Sequence, residues 1–217
     1  MAEPALVADC VRAMRDAVTV PVTVKHRLGL DYNEDYGFVR DFVGALHDAG
    51  CRVFIVHARN AVLQGLSPKE NRQVPPLRYE AALRLKADFP EATIVLNGGL
   101  AEPDAALAWM QRLDGVMLGR AAWHQPAILR DVELALRPGE APADLPGDEA
   151  VLEAMVDFAG RVCARGTPLR FVTRAMLGWR AGRSGARQWR RALSDARLLA
   201  ADDPGLLRRA WHESSAN

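Results

Sequence analysis

Cysteine is scarce in this 217-residue chain: Cys10, Cys51 and Cys163 are odd in number, far apart and in no CxxC spacing. That pattern argues against a disulfide framework or a zinc site and fits a reducing compartment. No apolar run reaches the length of a membrane span, and Met1-Ala2-Glu3-Pro4 lacks the basic start and apolar stretch of a secretory signal. The expectation is a cytoplasmic protein with no membrane partner and no metal. Lysine is absent from residues 151–217, where 12 arginines face 6 acids for a net charge of +6. Residues 1–150 carry 16 Lys+Arg against 21 Asp+Glu, a net −5, so the whole-chain value of +1 hides a basic tail on an acidic body. Such a tail suits a polyanionic partner, or is a solvated Arg-rich helical surface.

What is present is alternation. Leu6, Val7, Val11, Met14 and Val18 recur at helical spacing behind Pro4. The β-branched run 20–25 reads as a strand, and 35–49 as an amphipathic helix closed by Gly50. Further strands fall at 52–57, 93–97 and 115–118, and further helices at 79–88, 103–113 and 121–136. Continuous apolar strands separated by helices give a parallel α/β sheet. The connection 58–77 is long enough to be functional or disordered. A Pro/Gly/acid-rich linker covers 138–148, and helices alone follow over 149–214, with a Gly/Arg/Ser turn at 182–185. Two domains are expected, 1–140 and 141–217.

Functional groups in parallel α/β folds collect at the C-terminal strand ends. Here those ends carry Lys25 and Arg27, then His57 and Arg59, then Asn97, Gly98 and Gly99, then Gly119 and Arg120. Singly, each is weak: an NGG is usually a turn, and a lone lysine usually a surface residue. Four on successive strands point to one site. Glycine-bearing starts of helices favour phosphate through free N–H groups and the helix dipole, and Arg120 adds a forked donor. Lys25 suits the electron-rich edge of a reduced flavin, and His57 its ring or ribityl chain.

Pro21-Val22-Thr23-Val24-Lys25-His26-Arg27, Ile55-Val56-His57-Ala58-Arg59, Gly65-Leu66-Ser67-Pro68-Lys69-Glu70-Asn71-Arg72, Leu96-Asn97-Gly98-Gly99 and Gly115-Val116-Met117-Leu118-Gly119-Arg120 resemble the tRNA-dihydrouridine synthases. The Ser67 to Arg72 string and Gly185-Ala186-Arg187-Gln188-Trp189-Arg190-Arg191 resemble the A-type subfamily. The resemblance implies an FMN-binding TIM (β/α)8 barrel, here its second half, followed by an all-α tRNA-binding domain. It implies NADPH-driven reduction of D-loop uridines at tRNA positions 20 and 20a. Carried over by position, Lys25, His57, Asn97, Gly98, Gly99, Gly119 and Arg120 would hold FMN. Arg27, Arg59, Lys69 and Arg72 would line an RNA-facing rim, and Arg174, Arg187, Arg190 and Arg191 would meet tRNA from the tail.

The resemblance begins at the family's fourth barrel helix, so the loop bearing the family's proton-donating cysteine has no match here. The catalytic set is therefore empty: Cys10, Cys51 and Cys163 read as packing residues. Expected consequences are open sheet edges, marginal stability and poor activity alone, unless a separate chain supplies the remaining strands. Other function classes are a non-catalytic RNA-binding remnant and a phosphate-binding barrel enzyme acting on a small metabolite. Among the tryptophans, Trp189 stands between Arg187 and Arg190 and is the candidate for base stacking.

Overall fold

The computed structural model describes residues 1–139 and 145–215. They divide into two compact units, Met1–Gly119 and Arg120–Asn217. The sequence-predicted linker lies within the second unit, and its residues 140–144 fall outside the described residues.

The first unit runs α1 (Pro4–Ala17), β1 (Thr23–His26), α2 (Tyr36–Asp48), β2 (Val53–His57), a 3₁₀ turn (Glu70–Arg72), α3 (Tyr79–Asp88), β3 (Thr93–Asn97), α4 (Pro103–Met110) and β4 (Gly115–Met117). The four strands form one parallel sheet in sequential order. Register aligns Lys25 with Ile55, His57 with Asn97, and Asn97 with Met117. Side chains alternate across a strand, so paired positions share a face. One face therefore carries His26, Phe54, Val56, Ile94 and Leu96, all buried, and packs with Val39, Phe42, Val43, Leu46 and Leu85 from α2 and α3. Thr23, Lys25, Ile55, His57, Val95, Asn97 and Met117 stand on the other.

Local chemistry accounts for several boundaries. Asp35 caps α2 by accepting from the Gly37 N–H at 3.0 Å, and Pro4 and Pro103 sit in the first turns of α1 and α4. The strand read from Val20 begins only at Thr23, and Val20 is 66% exposed. The single helix read over 121–136 is two, α5 (Arg120–His124) and α6 (Ile128–Leu136), because Pro126 has no N–H for the helical ladder. Leu6 and Met14 of α1 are exposed while Ala8 and Val11 are buried, so the predicted apolar stripe is only half inward. Cys10 is exposed on α1 and does not pack, unlike Cys51, which is fully buried.

The second unit continues with α7 (Asp148–Cys163), α8 (Arg170–Met176), α9 (Ala186–Ser194), α10 (Ala196–Leu199) and α11 (Leu206–Ser215). Its described residues include no strand. Its core joins Leu152, Val156, Leu169, Met176, Trp189, Leu193, Leu207 and Trp211. The Trp189 indole N–H donates to the Met176 carbonyl at 2.8 Å, and its ring meets Trp211 edge-on at 5.9 Å. Fully buried, Trp189 is a core anchor and offers no stacking surface. Among the described residues no helix is long and apolar enough to cross a membrane.

Candidate functional site

Lys25, His57 and Asn97 come from three neighbouring strands and stand on one face, at or near the strands' C-terminal ends. Lys25 is exposed on this face, and partial desolvation of its ammonium, and secondarily the charge of Arg27, lowers its pKa from the ordinary value. A cation held where its charge is costly gains most from an anionic partner. Asn97 donates its side-chain N–H to the Met117 carbonyl at 2.7 Å, across to β4. Asn97 keeps its amide oxygen and a second N–H to offer a ligand.

The two glycines after Asn97 have a local cause. Gly98 and Gly99 adopt φ of +114° and +70°, a region that side chains disfavour. A methyl on Gly98 would come within 2.8 Å of His57 Cδ2, and one on Gly99 within 2.6 Å of a Leu77 methyl. The Tyr79 hydroxyl donates to the Gly98 carbonyl at 2.7 Å. Glycine here lets the turn fit beneath His57 and Leu77. The expected helix start at this turn is not found: α4 begins at Pro103, four residues beyond Gly99. Gly119 has open space where a Cβ would stand, and Arg120 opens the five-residue α5 of the second unit.

The long connection 58–77 is ordered by its own hydrogen bonds. Arg27 donates to the carbonyls of Asn60 at 2.9 Å and Asn71 at 3.0 Å. Arg59, 9% exposed, donates to the carbonyls of Pro75 and Gln73 and so clips the loop from within instead of lining its outer rim. Ser67 and Glu70 form a reciprocal capping box: Glu70 Oε2 accepts from the Ser67 N–H at 2.8 Å, and Ser67 Oγ accepts from the Glu70 N–H at 3.3 Å. Hydrogen bonds to the carboxylate from the Ser67 side chain and then from the Ser67 N–H hold the Glu70 carboxyl below its ordinary pKa. Asn71 pairs in both directions with the Val62 backbone, at 2.8 and 2.6 Å. Much of the Ser67 to Arg72 string therefore builds the loop; Lys69 and Arg72 are its exposed cations, and Arg72 also donates to the Pro68 carbonyl at 2.9 Å. Burial first, then the charges of Arg72 and Arg59, lower the Arg27 pKa.

Asn60 is the residue that the sequence reading missed. Its side-chain N–H groups donate to the carbonyls of Asp31 at 3.1 Å and Asn33 at 2.6 Å, and its oxygen accepts from Arg78 at 2.5 Å. It thereby locks the loop after β1 to the loop after β2. Asn60→Ala is expected to cost about 2–3 kcal/mol, because three polar partners lose their bonds. Urea unfolding measures that cost, and faster proteolysis within 58–77 should accompany it.

In the second unit Arg174, Arg187, Arg190 and Arg191 are all exposed. Other arginines of that unit form ion pairs: Arg130 and Arg183 with Asp148, Arg208 with Glu153, Arg209 with Asp203. Of the two thiols in the first unit, Cys51 precedes β2 at the end opposite His57 and Cys10 is exposed on α1; Cys163 ends α7 of the second unit.

A family model described as dihydrouridine synthase (Dus) matches residues 1–210. The chain is 50% identical over 207 residues to a protein named tRNA-dihydrouridine(20/20a) synthase from Pseudomonas syringae pv. tomato, covering 95% of this chain and 61% of the relative. It is 46% identical over 212 residues to the protein of the same name from Escherichia coli K12, covering 97% of this chain and 61% of the relative. The chain thus spans about three fifths of the length of these relatives. Among solved structures, a mandelate oxidase mutant with benzaldehyde superposes over 92% of this chain and 68% of its own at 17% identity and a TM-score of 0.42, too distant to build on.

Proposed function

Because the chain belongs to the dihydrouridine synthase family, we propose that Lys25, His57 and Asn97 hold FMN for the reduction of a D-loop uridine in tRNA, at positions 20 and 20a, with NADPH as reductant. In this reading residues 1–140 are the second half of a (β/α)8 barrel, 141–217 are a helical tRNA-binding domain, and the protein works in the cytoplasm. The observation that carries it is the shared sheet face of those three side chains. A separate chain supplying further strands has no support in the comparisons.

The residues present fit a flavin. An ammonium, an imidazole and an amide oxygen on one face can meet the anionic edge, a ring acceptor and a ring N–H of an isoalloxazine. Gly119 leaves room beside its backbone, and Arg120 supplies a forked donor suited to phosphate. The flavin, when bound, would deliver a hydride to the C5–C6 bond of uracil. The protein's own part is positional and electrostatic. Lys25 favours negative charge on the ring edge, His57 and Asn97 fix the ring's orientation, and the Asn60-centred loop lock keeps the rim rigid. Arg27, Lys69 and Arg72 add positive potential for the tRNA backbone, and the second unit carries its own exposed cations in Arg174, Arg187, Arg190 and Arg191. Protonation of C5 is not assigned to any of the three thiols.

Titration of FMN against the 217-residue chain, followed by flavin fluorescence, tests the reading. Lys25→Ala should weaken binding about tenfold, which corresponds to about 1.4 kcal/mol. Equal affinity of wild type and variant would remove Lys25 from the site. A colourless chain that still binds tRNA in a salt-dependent way would favour a flavin-free RNA-binding role.

A further inference from the structure

Residues 158–194 contain nine arginines and not one acidic residue. Within that stretch the outward side of α8 carries Arg170, Phe171 and Arg174, all exposed, while Val172, Thr173 and Met176 point into the core. At about 100° per residue the three outward positions fall within a single stripe about 100° wide. Phe171 is 56% exposed, and the Arg170 guanidinium sits 5.0 Å from the centre of its ring. A single exposed apolar side chain is ordinary on a protein surface. An aromatic ring flanked in sequence by two arginines, in a stretch without acidic residues, is a different arrangement. It combines a flat apolar face with a guanidinium plane and a second cation one turn away. Asp202 stands at the start of the helix, where it accepts from the Leu169 N–H at 2.7 Å.

We infer that Phe171, with Arg170 and Arg174, is a stacking platform for an unpaired nucleobase of the bound RNA, Phe171 taking the base face and Arg174 a neighbouring phosphate. This rests on the reading that the second unit binds tRNA, and it deepens that reading. Sequence-specific contact with RNA falls mostly on unstacked bases in loops, which stack on aromatic rings and arginine planes and leave their phosphates to cations. Phe158 with Arg161 at 6.0 Å on α7 is a looser pair, and it follows Asp157 directly in sequence, whose charge opposes a phosphate. α9, tied to α8 through the Trp189 to Met176 hydrogen bond, displays Arg187, Arg190 and Arg191 and continues the basic surface on the adjacent helix. A protein partner offering carboxylates is the competing occupant. The ring argues against it, because acidic groups would use the arginines and leave Phe171 unmatched.

The test is fluorescence anisotropy with an unmodified tRNA transcript, repeated between about 50 and 200 mM salt. Phe171 is outside the core, so Phe171→Leu keeps the fold and removes only the aromatic face. It should weaken binding at least about fivefold, with the slope of log affinity against log salt unchanged. Phe171→Tyr should restore wild-type affinity. Arg174→Ala should instead flatten that slope by about one. Wild-type affinity in Phe171→Leu, alongside a flattened slope in Arg174→Ala, overturns the stacking role and leaves tRNA binding by this unit standing. Absence of tRNA binding by the wild type overturns both. Concentration-dependent self-association that Phe171→Leu abolishes, with tRNA affinity intact, would make the surface a protein contact and would also overturn the inference.

Discussion

Gly185→Ala is expected to unfold the second unit or to destabilise it by about 4 kcal/mol or more, near the upper end for single substitutions. Gly185 sits at φ +74° immediately before α9. A methyl there would stand 1.8 Å from the Ser214 carbonyl oxygen in α11. The left-handed backbone alone costs a side chain about 1–2 kcal/mol. The clash adds more, since it is with main chain and cannot be relieved by a rotamer. Gly182 provides the control. Its φ is +77°, yet nothing lies within 4 Å of where its Cβ would be. Gly182→Ala should therefore cost only the backbone term. Circular dichroism on heating separates the two: Gly182→Ala melts a few degrees low, and Gly185→Ala loses helical signal. Comparable melting of both variants would show that the approach of α11 to α9 is not as tight as described.

The second large effect is acid sensitivity from His26. Its Nδ1–H donates to the Arg27 carbonyl at 2.7 Å, and Nε2 is buried without a partner against the edges of Phe42 and Phe54, at 5.6 and 6.1 Å between ring centres. Burial, first among the causes, lowers its pKa from 6.5 to about 4. The folded value lies below the unfolded one, so between pH 6.5 and 4 the unfolded chain holds a proton that the folded chain does not. Stability is flat above about pH 7 and falls as pH drops through that window, by about 3 kcal/mol in all. His26→Phe keeps a ring in the pocket and removes the titration. Urea midpoints from pH 7 to pH 4 should fall less steeply in the variant, by the equivalent of about one proton. Parallel profiles would mean that His26 takes up its proton as readily in the folded protein as in the unfolded chain.

The sequence made the sheet legible because each strand is a short β-branched run ended by glycine or a polar residue. It also put Lys25, His57 and Asn97 together, since strand ends in a parallel sheet converge whatever the details between them. Packing between distant segments was less legible. Arg59 looks like a rim cation by position, yet the return of the chain at residues 73–75 turns it inward. Trp189 looks displayed among arginines, but in a helix the neighbours i−2 and i+1 face elsewhere, and Trp211 closes over it. Lys69 and Arg72 look like rim cations, while the S-x-x-E spacing around them is a capping signal that the bonds between Ser67 and Glu70 satisfy. Asn60 carried no pattern of its own, because its three partners lie far from it in sequence.

The chain has three lysines, Lys25, Lys69 and Lys86, which makes lysine acetylation read by mass spectrometry a direct test of the flavin face. Lys86 is engaged with Asp114 at 3.0 Å and with the carbonyls of Pro90 and Ala92. Lys25, with its lowered pKa, should acetylate fastest in the free chain and become protected when FMN is added, while Lys69 and Lys86 label as before. Unchanged labelling of Lys25 at saturating FMN would contradict a flavin held by Lys25, His57 and Asn97.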